Sequence, residues 1–394
     1  MQQAKNIKDP EAGKRVRPPL RVGIVVSSLG LLPGGTETRA VQLALQLSRR
    51  GHQVWLAGGR WPRRRLPRPL AESGLEVIRI PVPPADWRVW RVLGGLTEFR
   101  AFSWQRRIFQ GLAQLSPRLR RRTREADVTF TLHVRDTLWM SRRRRRLGKA
   151  HVSYFTGGSR RLADQDASQV RVANPRVLDP GHPSGQSGFD GVFQPGIPQR
   201  LLDDESYQVR PRARRLLFVG RLEHNNGPLD VLEIFSLLSR DLPDLQLSYV
   251  GRGVQSEATR RAAKRKGLLD RISFTGTLEQ EEVWEHMKGA DVLVMPLRHG
   301  HFPITLLEAA ALGLPLATSD IPGVRNGCAP ESLKLPLDQP AIWARELARL
   351  LGDEKRRRHM SQSGRLFAAP FTWERAAAEM EEMFYLALDR AASP

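Results

Sequence analysis

The sequence predicts an α/β protein with two doubly wound domains that face each other across a crevice. Its 394 residues are the length of two ordinary domains. Short β-branched apolar runs alternate with helical patterns from residue 21 to residue 200, and the alternation restarts near residue 215. A polar, charged stretch at 199–214 separates the two parts and is interpreted as a linker. Strands that alternate with helices favour βαβ units and parallel sheets, in which ligands bind beyond the carboxyl ends of the strands.

This pattern divides the chain into four segments. Residues 1–20 are predicted to be a disordered basic tail, and residues 21–200 are predicted to form the first domain. Residues 201–370 are predicted to form the second domain. Residues 371–394 are predicted to form a C-terminal helix that can cross back to the first domain.

The first domain begins with a buried strand at 21–27, a glycine-rich loop and an amphipathic helix at 36–50. Gly51 ends this helix, and further strands are predicted at 53–57, 75–81, 127–132, 150–155 and 170–173. The run of five arginines at 142–146 is predicted to be a solvated helix end or loop, because it cannot be buried.

In the second domain the same alternation recurs. Strands are predicted at 215–219, 246–250, 272–275, 292–295 and 316–318, and helices near 228–239, 255–266, 280–288 and 304–312. Three more helices, at about 340–351, 354–367 and 372–390, close the chain.

Charge is distributed unevenly between the two halves. Residues 1–200 hold 37 Lys and Arg against 14 Asp and Glu, whereas residues 201–394 hold 26 against 27, so the whole net charge of +22 arises in the first half. This asymmetry predicts an anionic partner for the first domain, with nucleic acid, anionic lipid and phosphorylated substrates as candidates. The single cysteine, Cys328, excludes an intrachain disulfide and a cysteine-based metal site. With no secretory signal and no membrane-spanning run, a cytoplasmic protein, soluble or peripheral on the membrane, is expected.

Several loops at predicted strand ends could hold an anion. Gly34 and Gly35 lie between the first strand and its helix, where backbone N–H groups can approach a ligand. Arg221 follows the strand at 215–219 and offers a planar fork suited to phosphate. Ile304 and Thr305 begin a helix whose free backbone N–H groups can bind an anion. Glu308 lies one turn further among apolar residues, so a polar partner is expected for its carboxylate.

At these residues the sequence resembles glycosyltransferase family 4. The motifs that carry the resemblance run in order as GGTE, VGRLxxxNG, VGRG, ISFTGTLEQEEVWEHMKGADVLVMP, FPITLLEAAALGLPLATSDIPG and FTWERAAAEMEEMF. They cover about residues 20–390, and the 215–325 block is the specific part. The resemblance implies the GT-B fold of two Rossmann-like domains, no metal or other cofactor, and transfer with retention of anomeric configuration. In that family the leaving phosphate is thought to help deprotonate the acceptor on the same face, so a paired acid and base is not required.

The resemblance implies that residues 21–200 bind the acceptor and residues 201–370 bind the nucleotide sugar. It also assigns roles residue by residue. Arg221 matches the arginine that holds the donor diphosphate, and Glu308 matches the second Glu of the family's E-x7-E element, which binds the ribose. The nucleobase is expected near Arg252 and Leu278. The predicted donor-binding residues are Gly34, Gly35, Gly220, Arg252, Leu278, Gly300, Phe302, Ile304, Thr305 and Glu308. The predicted catalytic residues are Arg221, Asn226, His301 and His133, the last as an acceptor-side base or phosphate contact.

Two positions depart from the family pattern. Asn226 stands where the family has a lysine that partners the arginine, and Gly300 stands where it has the first Glu of E-x7-E. Stabilisation of the leaving group by fixed positive charge of the protein usually contributes much of the rate enhancement. His301 or Arg298 could compensate, or the chain could be a catalytically weakened scaffold that binds nucleotide or a partner enzyme.

The remaining candidates concern metal, nucleophile and partners. Asp164 and Asp166 resemble the metal-binding D-x-D of the GT-A fold but follow no strand, so a metal site is not expected. Cys328 has no nearby His in sequence and is not expected to be a nucleophile. The expected partners are a nucleotide sugar, a saccharide or lipid-linked acceptor in cell-envelope polysaccharide or glycolipid synthesis, and an anionic membrane surface that meets the aromatic and basic segment 84–125. No nucleic-acid-binding motif is present, so nucleic acid is not an expected partner.

Overall fold

The first domain is built on a parallel sheet with the strand order β3-β2-β1-β4-β5-β6-β7. The computed structural model describes residues 17–29, 35–60, 66, 68–82, 98–155, 170–173, 189–298, 303–325 and 327–392. The strands are β1 (Arg21–Val25), β2 (Gln53–Arg60), β3 (Glu76–Pro81), β4 (Val128–Thr131), β5 (Ala150–Phe155), β6 (Val170–Ala173) and β7 (Gly191–Val192). The strand order reverses between β1 and β4, which is where doubly wound sheets bind ligands.

The described helices of this domain are α1 (Gly35–Arg49), α2 (Arg68–Ala71), α3 (Glu98–Leu115), α4 (Pro117–Glu125) and α5 (Val134–Arg146).

Local packing explains the glycine in β1. Gly23 pairs with Trp55 of β2, and a Cβ on Gly23 would lie 2.2 Å from the Trp55 ring. The absence of a side chain therefore leaves room for the indole on the sheet.

The second domain repeats the architecture with the strand order β10-β9-β8-β11-β12-β13. Its strands are β8 (Arg215–Val219), β9 (Gln246–Val250), β10 (Ile272–Gly276), β11 (Val292–Met295), β12 (Leu316–Ser319) and β13 (Leu333–Leu335). Its helices are α6 (Gln199–Leu202), α7 (Pro228–Asp241), α8 (Ser256–Arg265), α9 (Gln280–Gly289), α10 (Ile304–Leu312), α11 (Pro322–Arg325), α12 (Pro340–Gly352) and α13 (Glu354–Ala368). Here the strand order reverses between β8 and β11. The predicted two-domain, doubly wound architecture is confirmed.

The last helix, α14 (Trp373–Ala392), packs on the first domain rather than the second. Met380 and Phe384 are buried in the core that also contains Ile24 of β1 and Phe130 of β4. Phe130 and Phe384 make an edge-to-face contact with ring centroids 6.0 Å apart. The chain thus leaves the first domain near residue 197 and returns to it after residue 371.

The two crossing segments are joined by backbone contacts. Ile197 N–H donates to the Phe371 carbonyl at 2.9 Å, and Ile197 forms a parallel bridge with Thr372. A Cβ on Gly196 would lie 2.3 Å from Trp373 N, so the close approach requires glycine at this position.

Two expectations about polar segments are wrong in part. The stretch 199–214 is not a free linker: it contains α6, and Tyr207 and Val209 are buried against the second domain. Arg210 donates to buried Asp291 at 2.6 Å, which fastens the segment to the start of β11. A few apolar anchors and one ion pair therefore hold a segment whose composition is polar.

The arginine run 142–146 does end a helix, α5, but one of its members is buried. Arg144 is fully buried and donates to the carbonyls of Thr123, Ala126, Asp127 and Ala150 at distances from 2.6 to 3.2 Å. Burial lowers the pKa of Arg144 to about 10. The guanidinium satisfies carbonyls at the end of α4 and at the start of β4 and β5, which the helical pattern could not reveal.

No helix among the described residues is both long enough and apolar enough to cross a bilayer.

Candidate active site

The first domain gathers polar side chains at the carboxyl ends of β1 and β4. Ser28 follows β1, Glu37 lies in the first turn of α1, and the predicted His133 directly precedes α5. The Ser28 hydroxyl contacts the Glu37 carboxylate, and Ser28 Oγ lies 2.7 Å from His133 Nε2. His133 Nε2 is 4.0 Å from Glu37 Oε1. The three side chains form a cluster at the point where the strand order of the first sheet reverses.

The contacts within this cluster indicate which ring nitrogen of His133 carries a hydrogen. The Ser28 hydroxyl has a single hydrogen, which it donates to Glu37. Ser28 Oγ therefore accepts from His133, so Nε2 is the protonated nitrogen. When the ring is neutral, Nδ1 carries the lone pair.

Asp136 holds the His133 loop against the end of β1. Its carboxylate is buried and accepts a hydrogen bond from the Ser27 N–H at 2.9 Å. Thr137 N–H donates to the His133 carbonyl at 2.8 Å, and the Thr137 hydroxyl lies 2.8 Å from Thr131 Oγ1 of β4. Both ends of the loop are thus tied to the sheet, which fixes the position of His133.

The glycine-rich loop of the first domain is described only from Gly35 onward. Gly35 is the first residue of α1, and a Cβ there would lie 3.4 Å from Arg39 Nη1. Gly34 lies outside the described residues. The donor-facing role of both glycines stays a prediction.

In the second domain, glycines allow the ends of β8 and β9 to pack backbone against backbone. Gly251 has φ 129°, and a Cβ there would lie 2.0 Å from the Gly220 carbonyl oxygen. A Cβ on Gly276, at the end of β10, would lie 2.9 Å from Arg252 Nε. The predicted Gly220 and Arg252 are therefore neighbours of one strand-end surface, with the Arg252 guanidinium lying across Gly276.

Arg221 extends from this surface. Its side chain is about half exposed (54%), and its Nη1 donates to Glu223 Oε1 at 3.1 Å. Asn226 Nδ2 donates to the Arg221 carbonyl at 2.7 Å. Asn226 thus braces the loop that carries Arg221, and its amide has no positive charge with which to replace the lysine of the family pattern.

Arg298, one of the two residues that could compensate for that lysine, is engaged elsewhere. Its Nη2 donates to both carboxylate oxygens of Asp230 at 2.9 Å and to Asp338 Oδ1 at 2.6 Å. The hydrogen bond with Asp338 and the charge of Asp230 raise its pKa. Two carboxylates already balance this guanidinium, which weakens its candidacy as a phosphate ligand. The other residue, His301, lies outside the described residues.

Glu308 is buried on α10 with only 7% of its surface exposed. As expected for a carboxylate among apolar residues, it has a polar partner: Gln280 Nε2 donates to Glu308 Oε1 at 3.0 Å. Burial raises the pKa of Glu308 to about 7, an effect that Trp284 and Gln280 partly offset. The Trp284 indole nitrogen is buried and makes no hydrogen bond of ordinary geometry among the described residues. Hydroxyl donors from a ligand would favour the charged form of Glu308.

The first turn of α10 approaches the first domain. Ile304 packs against the core of the first domain, and Thr305 beside it is partly buried. Leu278 is partly buried against the second-domain core. Pro303 at the N-cap makes no side-chain hydrogen bond to the first backbone N–H groups of α10. The predicted Gly300 and Phe302 lie outside the described residues.

The other candidates are of two kinds. Asp164 and Asp166 lie outside the described residues. Cys328 is buried, its Sγ contacts the Val324 carbonyl at 3.5 Å, and burial raises the pKa of its thiol. Across the described ranges, no cluster of His, Cys, Asp and Glu side chains could hold a metal ion.

Comparison with known proteins finds a family model that matches the second domain. Residues 200–367 match the family model of glycosyl transferases group 1. The match covers the second domain and less than half of the chain. Among curated proteins, the chain is similar to a D-inositol 3-phosphate glycosyltransferase of Corynebacterium urealyticum, which is 26% identical over 252 residues, 57% of this chain and 59% of the relative. A glycogen synthase of Mycobacterium tuberculosis is 34% identical over 154 residues, 34% of this chain and 37% of the relative.

Solved structures agree with the fold of the whole chain. Sucrose-phosphate synthase from Thermosynechococcus elongatus has a TM-score of 0.72 at 18% identity and covers 94% of this chain and 99% of its own. Anabaena HepE in complex with UDP and glucose has a TM-score of 0.69 at 14% identity, with 93% and 99% covered. The chain therefore has the predicted GT-B fold. The matched part spans from about a third to three fifths of the length of the curated relatives named above.

The structure also shows site residues that the sequence did not single out. Ser28, Asp136, Gln280 and Trp284 were assigned no role, and Glu37 was only part of the GGTE motif. Gln280 and Trp284 lie one turn apart on α9, a spacing that places both on one helix face. That spacing was a usable signal, whereas the contact between Ser28 and His133 joins residues 105 positions apart.

Proposed function

We propose that this chain is a retaining glycosyltransferase that moves a sugar from a nucleotide-sugar donor to an acceptor hydroxyl. The observation that carries the proposal is the placement of Arg221 and buried Glu308 after the two strands, β8 and β11, between which the second sheet reverses its order. A guanidinium and a carboxylate are complementary to the diphosphate and to the ribose hydroxyls. The match to the family model supports transferase chemistry, and the complex of HepE with UDP and glucose supports a uridine nucleotide as a first donor to test.

The first domain supplies the acceptor side of the proposed reaction. When the His133 ring is neutral, Nδ1 carries its lone pair at the end of β4, and the acceptor hydroxyl would lie between it and the donor phosphate. Arg221 would stabilise the charge that develops on the leaving diphosphate. Retention and same-face attack follow the family resemblance, as does a reaction that needs no metal. Full transfer in excess EDTA would support the metal-free proposal, and loss of transfer that Mg²⁺ restores would contradict it.

Nucleotide binding tests the donor site. In calorimetry with UDP, Arg221→Ala should weaken binding about tenfold or more, since hydrogen bonds to charged groups contribute roughly 1.5–3 kcal/mol. Glu308→Ala should weaken it as well. The matched control is Arg240→Ala, which removes an exposed arginine from α7. Equal UDP affinity in all four folded proteins would contradict the donor site.

The acceptor and location are proposed from the basic first half. We propose a saccharide or lipid-linked acceptor in cell-envelope polysaccharide or glycolipid synthesis, and a cytoplasmic protein that docks on an anionic membrane surface. Arginine-rich α4 and the exposed side chains of Leu112 and Leu115 on α3 support this docking. Sedimentation with phosphatidylglycerol vesicles should exceed that with neutral vesicles at low salt, and absence of binding to both would point to a soluble acceptor.

A catalytically weakened scaffold is the second candidate. Two observations favour it: the Asn226 amide donates to the Arg221 carbonyl, and Arg298 pairs with Asp230 and Asp338. Such a scaffold would bind UDP without transfer. Any donor-dependent transfer by the wild-type protein would exclude it.

A further inference from the structure

Two side chains of α9 converge on the buried Glu308 carboxylate of α10. Gln280, the first residue of α9, reaches it from the exposed rim and donates from Nε2 to Glu308 Oε1 at 3.0 Å. Trp284 lies one turn further along the same face, in the core that also contains Leu306 and Leu307 of α10. Its indole nitrogen is buried and has no hydrogen-bond partner of ordinary geometry in the described part of the chain.

Contacts with α6 hold the indole of Trp284 in place. The Arg200 guanidinium lies 5.0 Å from the centre of the Trp284 ring, and Arg200 Nη2 donates to Glu281 Oε1 at 2.6 Å. Arg200 belongs to α6, which directly follows the crossing of the chain between the domains. The indole therefore contacts α6 and shares a core with α10. This packing keeps the face of α9 that carries Gln280 and Trp284 turned toward Glu308.

A buried carboxylate that accepts ligand hydroxyls has to be ionised and held in one orientation. Burial raises the pKa of Glu308, whereas the donors Trp284 and Gln280 lower it. Neutral donors stabilise the ionised form without adding a charge that would form an ion pair with it. The hydrogen bond from Gln280 engages Oε1, which fixes the plane of the carboxylate and leaves Oε2 to accept from a ligand.

We propose that Gln280 and Trp284 are positioning residues, which orient the Glu308 carboxylate so that it accepts from the ribose hydroxyls of a nucleoside diphosphate. The inference rests on the proposed function, and it adds which residues set the preference for ribose over deoxyribose. Because both residues act through Glu308, their removal should matter only where the carboxylate and a ribose hydroxyl are both present. A residue that only supports the fold would affect ribonucleotides and deoxyribonucleotides alike.

Calorimetry with UDP, GDP and ADP and with their 2′-deoxy counterparts tests this role. It compares the wild-type protein with Gln280→Leu, which removes the amide, and Trp284→Phe, which removes the indole N–H and keeps an aromatic ring. Gln362→Leu, on the exposed face of α13, is the matched control. For the nucleotide that binds the wild-type protein best, the ratio of ribonucleotide to deoxyribonucleotide affinity should fall about threefold or more in both variants. It should stay unchanged in the control.

A double-mutant cycle shows whether Gln280 acts through Glu308. Glu308→Ala should abolish the preference for ribose, and adding Gln280→Leu to it should weaken nucleotide binding no further. Additive losses would overturn the proposal, as would an equal loss of affinity for both nucleotides. Nucleotide binding with an unchanged ratio in Gln280→Leu or Trp284→Phe would contradict this inference alone. Absence of nucleotide binding by the wild-type protein would contradict the proposed function, and this inference with it.

Discussion

Glu308→Gln should stabilise the empty protein at alkaline pH and have little effect at acidic pH. The Glu308 carboxyl is buried on α10, and burial raises its pKa from the ordinary 4.5 to about 7. Because the folded protein binds this proton more tightly than the unfolded chain, the protonated carboxyl adds stability that is fully present below pH 4.5 and is lost as the pH rises through 7. Glutamine mimics the protonated form at every pH and keeps an oxygen that can accept from Gln280.

The pKa difference sets the magnitude. An interval from 4.5 to about 7 corresponds to roughly 3 kcal/mol at 1.36 kcal/mol per pH unit. About 2.5 kcal/mol of this falls between pH 5 and pH 8, and it is the stability that Glu308→Gln should gain over the wild-type protein between those two pH values. A difference between the two side chains that does not vary with pH cancels in this comparison. A gain of about 1 to 4 kcal/mol agrees with the reasoning.

Denaturant unfolding of both proteins at pH 5, 6.5 and 8 measures this gain. Subtracting the two curves removes the contributions of all other titrating groups. Glu257→Gln, on the exposed face of α8, is the matched control for the loss of one carboxylate. A difference between Glu308→Gln and wild type that does not change with pH would refute the reasoning, and so would a wild-type protein that is relatively more stable at pH 8.

Three further changes test other parts of the structure. Arg144→Leu should lower the free energy of unfolding by about 3 kcal/mol or more, because it leaves the carbonyls of Thr123, Ala126, Asp127 and Ala150 without their donor. The control Arg146→Leu, on the exposed end of α5, should change the free energy of unfolding little. Equal effects of the two variants on unfolding would contradict the structural role of Arg144. Ser28→Ala should shift the pH profile of transfer, because it removes the acceptor that holds the hydrogen on His133 Nε2, and an unchanged profile would contradict the assignment of that nitrogen. Asn226→Lys should raise the transfer rate if the loop of Arg221 lacks only a charge; no transfer by either protein across a broad donor panel would favour the scaffold.

The sequence by itself determined most of the fold. Short, mostly apolar runs predicted β5, β6, β8, β9 and β11 to the residue, because strands buried on both faces of a parallel sheet have an apolar signature that depends only on neighbours in sequence. Helix α10 was equally well defined, since its apolar stretch ends at Gly313 in the left-handed region. Strand β1, in contrast, ends two residues early, where the Ser27 N–H turns from the sheet to Asp136, a partner 109 positions away.

Tertiary structure decided which charges are buried and which polar residues meet. The composition of 142–146 predicted five solvated arginines, yet Arg144 is buried because carbonyls from four separate positions converge on it, and no local pattern records that convergence. The same holds for the Ser28 and His133 contact and for the neutralisation of Arg298 by Asp230 and Asp338. Local periodicity depends on residues a few positions apart, so the sequence predicted the helices and strands and their order. Hydrogen-bond and ion-pair partners depend on how distant elements pack. The tertiary structure therefore determined which polar groups meet at the ends of the strands.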